Sequence, residues 1–176
     1  MQSADLLQTV AEVSIAFAGF TSVVAVLGRR ATGEWAEIDR FRLSVMLSTS
    51  LAALLFALLP LVLVGLRVPE RLSWGLASAI LAAYVIFLGT SARRGIQRLP
   101  PQDQSQIIRP VLWATWSLAA AVAACLLLNT TGMFFHREPG PYLLGLYFLL
   151  ALSAFQFTRL LLVIRRSGGN SVNGGA

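Results

Sequence analysis

The chain has 176 residues, of which 56% are apolar and 12% charged, with a mean hydropathy of +0.71 and a formal net charge of +6. This composition excludes an ordinary soluble domain, in which about a quarter of residues are charged. All of its basic residues are arginines, fourteen of them, and they border apolar runs rather than forming a recognition fold; they are expected to set orientation and meet anionic headgroups, and nucleic acid is not an expected partner.

Five apolar runs follow one another at 7–28, 43–66, 72–92, 110–130 and 141–164. Each reaches the roughly 20 residues needed to cross a ~30 Å hydrocarbon core. The connections are too short for a separate domain. The fold predicted is an all-α integral membrane helical bundle of five transmembrane helices. A single domain covers 1–166, and 167–176, rich in Gly, Asn and Ser, is expected to be a flexible cytoplasmic tail.

In the first run the leader Met1–Asp5 has no positive charge and the apolar stretch is too long for a signal sequence, so the segment is expected to be retained. Asp5, Gln8, Glu12, Gly19 and Ser22 recur at helical spacing and form a polar or small stripe. Glu12 lies ~8 Å below the start of the run at 1.5 Å per residue. A carboxylate at that depth is costly and normally faces the protein interior or water. Glu12 with Gln8, Gly19 and Ser22 is therefore the candidate intramembrane polar site, for a proton or cation in a pore or between helices. Asp5 and Glu12 also support an alternative in which 1–28 is an interfacial or re-entrant helix, leaving four spans.

Between the first two runs, Ala31-Thr32-Gly33 predicts a turn. Trp35, Ile38, Phe41 and Val45 predict a helical lead-in from about residue 34, capped by Thr32 or Gly33. Glu37 with Arg40, and Asp39 with Arg42, are spaced to pair along it. Pro60 removes a backbone donor inside the second run; it is a candidate kink, or frees the carbonyl of Phe56. Arg67–Arg71 predicts a tight turn that makes the second and third spans a hairpin.

The polar stretch 93–109, with its double proline, is expected to be irregular until about Ser105. Cys125, the only cysteine, lies within the fourth run and allows no intrachain disulfide. Asn129-Thr130-Thr131 matches a glycosylation acceptor beside the membrane, and His136 with Glu138 is an isolated metal-like pair expected to be solvated. In the last run Arg159 is expected to snorkel to headgroup phosphate. Rows of small residues, namely Ser14, Ala18 and Ser22, then Ser44, Ser48 and Ala52, then Gly75, Ala79 and Ala83, and finally Ala120 and Ala124, are expected to serve internal helix packing.

Orientation follows from the arginines. Arg29, Arg30, Arg40, Arg42, Arg93, Arg94, Arg98, Arg109, Arg165 and Arg166 fall on one side of a five-span topology, and Arg67, Arg71 and Arg137 on the other. The positive-inside rule then sets the N-terminus outside and the C-terminus in the cytoplasm. Trp35, Trp113 and Trp116 near one set of ends, and Trp74 and Tyr142 near the other, fit aromatic belts. Candidate lipid headgroup contacts are Arg29, Arg30, Arg93, Arg94, Arg159, Arg165 and Arg166.

No nucleophile–base pattern, phosphate loop or metal-ligand set is present, so a non-enzymatic protein without a cofactor is expected. The leading expectation is a small ion or solute channel or transport component using Glu12. The alternative is a structural or regulatory protein that binds partners or anionic lipids through the basic segments 29–42 and 93–109. Its expected partners are the lipid bilayer with its anionic headgroups, and a homo-oligomer or other membrane protein.

Ala11-Glu12-Val13-Ser14-Ile15-Ala16-Phe17-Ala18-Gly19-Phe20, then Trp35, Asp39, Arg40 and Arg42, then Leu54-Leu55-Phe56-Ala57-Leu58-Leu59-Pro60, resembles small bacterial polytopic inner-membrane proteins. The resemblance covers about the first 60 residues. It implies a bacterial inner-membrane location and carries no activity.

Overall fold

The computed structural model describes the backbone of residues 2–32, 37–104, 109–132 and 137–172, and side chains at 4–24, 26, 37–102, 104, 109–132 and 137–161. Every element in it is helical: α1 (Gln2–Thr32), α2 (Glu37–Gly65), α3 (Glu70–Arg98), α4 (Pro101–Gln104), α5 (Arg109–Thr131) and α6 (Pro139–Val172). Five of these, all but the one-turn α4, are long and apolar enough to cross a membrane.

The connection between α1 and α2 differs from expectation. α1 runs on through Thr32, so Ala31 and Thr32 are helical rather than in the expected turn and Thr32 does not cap α2; α2 begins at Glu37, and Gly33 and Trp35 lie outside the described residues. The Asp39–Arg42 pair forms at 2.9 Å, and it is the one salt bridge among the described residues.

The stretch expected to be irregular from residue 93 is instead helical through Arg98. Polar residues alone do not end a helix, and Phe41 of α2 supports this last turn, lying where a side chain on Gly95 would meet its ring at 2.5 Å. The helix ends at Arg98, and Leu99, its C-cap, is extended, because Pro100 disfavours helical geometry in the residue before it. Pro101 then opens α4, where its missing donor costs nothing. α6 runs on through Gly168 and Gly169 to Val172, into the segment expected to be a flexible tail; 173–176 lie outside the described residues.

The Arg67–Arg71 turn is as tight as expected. Arg67 takes a left-handed conformation (φ 63), and Val68 N–H donates to Leu63 O at 3.1 Å while Arg67 N–H donates to Val64 O at 2.9 Å. This is the helix-ending bond pair that usually employs glycine.

Consecutive long helices run antiparallel. Tyr142 near the start of α6 stacks edge-on against Trp74 near the start of α3, whereas Phe41 near the start of α2 meets Gly95 near the end of α3. One end of the bundle thus gathers Arg40, Arg42, Arg93, Arg94, Arg98 and Arg109 and is called the arginine-rich end; the opposite end carries Arg67, Arg71 and Arg137.

α1 packs along α2, α2 along α6, and α3 along α5. The apolar core sits toward the opposite end, where Leu7, Ala53, Ala57, Leu81, Leu126, Tyr142 and Leu149 meet from all five long helices. Apolar residues also cover the outside: Leu55, Leu66 and Tyr147 are 68%, 70% and 69% exposed. A surface of that kind suits hydrocarbon rather than water.

The small-residue rows contribute only partly to packing. Ser14, Ala52 and Gly75 are buried, but Ser22, Ser44, Ser48, Ala83, Ala120 and Ala124 are exposed. Other buried small residues belong to adjoining rows, among them Thr21, Thr49, Ala53, Ala57, Ser78 and Ala123. In an Ala-rich helix several rows have similar spacing, and only contact with a neighbour selects one.

Candidate functional site

The stripe on α1 faces away from the bundle. Gln8, Glu12, Gly19 and Ser22 are all exposed, whereas Leu7, Ala11, Ser14, Thr21 and Val24 are buried against the other helices. The buried set brings small side chains whose hydroxyls are already satisfied, Ser14 by Val10 O and Thr21 by Phe17 O, both at 2.7 Å. Burying Glu12 instead would require a partner for its charge. Its hydrogen bond comes from its own helix, where Gln8 Nε2 donates to Glu12 Oε1 at 3.0 Å. Ser22 donates to Ala18 O at 3.1 Å, and a side chain on Gly19 would meet nothing within 4 Å. Within one copy of the chain the stripe therefore lies on the outer surface of α1.

Pro60 has a defined consequence. It is buried inside α2, and the carbonyl of Phe56, whose helical donor it removes, accepts a hydrogen bond from the Tyr142 hydroxyl. A phenol from α6 thus replaces the missing backbone N–H. The freed carbonyl is a fastening point between helices rather than an ion ligand.

Asn129 is a functional-looking residue turned structural. It is fully buried; its Nδ2 donates to Ser78 Oγ at 2.9 Å and Glu138 O at 3.0 Å, and its Oδ1 accepts from Glu138 N–H at 3.1 Å. Those bonds tie α5, α3 and the start of α6 together, and an amide so enclosed offers no acceptor for a glycan. His136 lies outside the described residues, and no three His, Cys, Asp or Glu side chains gather as a metal site among those described.

Of the arginines singled out, Arg29, Arg30, Arg165 and Arg166 have side chains outside the described residues. Arg93 and Arg94 are exposed, and Arg93 lies over the Trp116 ring at 5.9 Å. Arg159 is half-buried, sits over the Phe155 ring at 5.6 Å and has no carboxylate partner among the described residues.

Arg159 opens onto a feature that the sequence did not announce. Between α3, α5 and α6, with Phe41 and Val45 of α2 behind, lies a cavity of about 110 Å³. Grooves of about 270 Å³ and 280 Å³ flank α5 on its α3 and α6 sides. They exist because the near half of α5 is only loosely packed, with partly buried residues such as Trp116 and Ala119. The buried residues of α5 are Val122, Ala123, Leu126 and Asn129, and none from Arg109 to Ala121 is buried. The one available signal was the composition of that half, where Ala114, Ala119 and Ala120 leave little to fill the space.

Comparison of the chain with known protein families, with curated proteins and with solved structures found no match.

Proposed function

We propose that the chain is an integral protein of a bacterial cytoplasmic membrane, N-terminus outside, that binds anionic groups at its arginine-rich end and catalyses no reaction. The observation that carries this is the charge imbalance there. Arg93, Arg94, Arg98 and Arg109 are exposed, while the only ion-paired carboxylate among the described residues, Asp39, is committed to Arg42. Each arginine near an anionic leaflet contributes about 1 kcal/mol of attraction. The protein reconstituted in phosphatidylcholine bilayers should unfold several degrees higher when phosphatidylglycerol is added. That rise should shrink in high salt and in the Arg94→Gln/Arg98→Gln double variant. An unfolding temperature indifferent to the anionic lipid refutes the proposal. Reporter fusions at residue 1 test the threading; a cytoplasmic N-terminus refutes it.

The Gln8–Glu12 pair favours a second reading. Hydrocarbon offers no hydrogen bond to a carboxylate, so a lipid-facing pair at this depth is better accommodated between copies of the chain than against acyl chains. A small ion or solute would then pass at a contact between α1 helices, not through one bundle. Liposome flux lost in Glu12→Gln supports this reading; equal flux with both proteins, or none with either, removes it.

A further inference from the structure

The crevice around the arginine-rich half of α5 combines three properties. Its walls are hydrocarbon, with Val111, Leu118, Phe148, Leu152 and Phe155 prominent among the lining residues. Its charge is positive only, with Arg159 lining the cavity and Arg93 lining the groove toward α3. It is also continuous with the lipid-facing surface, since both grooves share lining residues with the cavity, Trp116 and Ala119 on one side and Thr115 and Leu152 on the other.

The charge argument selects the occupant. Arg42 is close enough to Arg159 to repel it, and the only carboxylate paired nearby, Asp39, bonds Arg42. An anion beside Arg159 relieves that repulsion, and a guanidinium meets phosphate oxygens through paired N–H donors. Free phosphate would leave the apolar walls unfilled. A zwitterionic lipid would bring a second cation to a place already in cationic excess.

We infer that this crevice binds an anionic phospholipid, with its headgroup at Arg159, Arg93 flanking it, and an acyl chain lying along α5. The inference rests on the proposed preference of the arginine-rich end for anions and assigns it a specific seat.

Trp116 provides the readout, because a brominated chain in the crevice lies against its ring and quenches it. The full chain in phosphatidylcholine bilayers is titrated with brominated phosphatidylglycerol or brominated phosphatidylcholine, and Trp116→Phe identifies the share of quenching that arises there. The anionic lipid should quench that share at a mole fraction at least about fivefold lower, the scale of one arginine's attraction to an anionic lipid. Arg159→Gln should abolish the difference, and Arg159→Lys should keep part of it. Ala119→Phe, which fills the space, should reduce quenching by both lipids while circular dichroism shows the helices intact.

If Arg94→Gln/Arg98→Gln removes as much preference as Arg159→Gln, binding is spread over the surface; the crevice is then overturned and the broader reading survives. Displacement of the brominated lipid by millimolar inorganic phosphate overturns the assignment to a lipid. Absence of quenching from Trp116 overturns the site, whether the crevice holds a partner helix or nothing. No anionic preference in the unsubstituted protein overturns both readings.

Discussion

α5 is two helices in energetic terms. Its second half, from Val122 to Asn129, is locked: Leu126 is 0% exposed, and Asn129 bonds both α3 and the residue before α6. Its first half, where Arg109, Thr115 and Ser117 stand among the apolar residues, has no buried residue, with Trp113 at 66% exposed. Hydropathy alone does not decide what is buried, since lipid accepts exposed apolar side chains from either half, Leu118 at 55% and Leu127 at 48% exposed. Between helices in a bilayer, close packing and hydrogen bonds do the holding, because moving an apolar side chain from lipid to protein gains little. The locked half has those contacts, and the loose half has space.

Substitutions along this helix and its neighbours can break that contrast. The largest loss is expected from Leu126→Ala, about 2 kcal/mol in reversible detergent unfolding; this is the low end for a buried leucine, because the packing defect remains but the water-transfer part largely falls away. Asn129→Ala comes next, at about 1–2 kcal/mol, since it leaves Ser78 and the Glu138 N–H without their partner. Tyr142→Phe should cost about 0.5–1 kcal/mol by returning the Phe56 carbonyl to an unsatisfied state. Leu118→Ala, at a position 55% exposed in the loose half, should change stability by less than about 0.5 kcal/mol. If Leu118→Ala costs as much as Leu126→Ala, the two halves are not different and the crevice is closed in the bilayer.

Much of the candidate site was visible residue by residue, yet its direction was not. Periodicity grouped Gln8, Glu12, Gly19 and Ser22 on one face of α1, and that grouping holds. Which face turns inward depended on the competing row Leu7, Ala11, Ser14, Thr21 and Val24, whose small and self-satisfied side chains allow close approach without stranding a charge. Pro60 announced a freed carbonyl at Phe56, but its donor lies 86 residues away in sequence. Asn129 suggested surface chemistry by its tripeptide and proved to be interior. A three-residue pattern carries no record of what lies across from it.

By itself the sequence determined five apolar helices of spanning length, because run length and side-chain hydropathy are local properties. It also determined the segregation of arginines to one end, because alternate connections of an antiparallel bundle return to the same side. The tertiary structure decided which face of α1 is buried, what satisfies Phe56 and Asn129, and that α5 stands away from α6 beside Arg159. Those are relations between helices distant in sequence, set by which rows of side chains fit together, and helical periodicity fixes a row's spacing without fixing its partner.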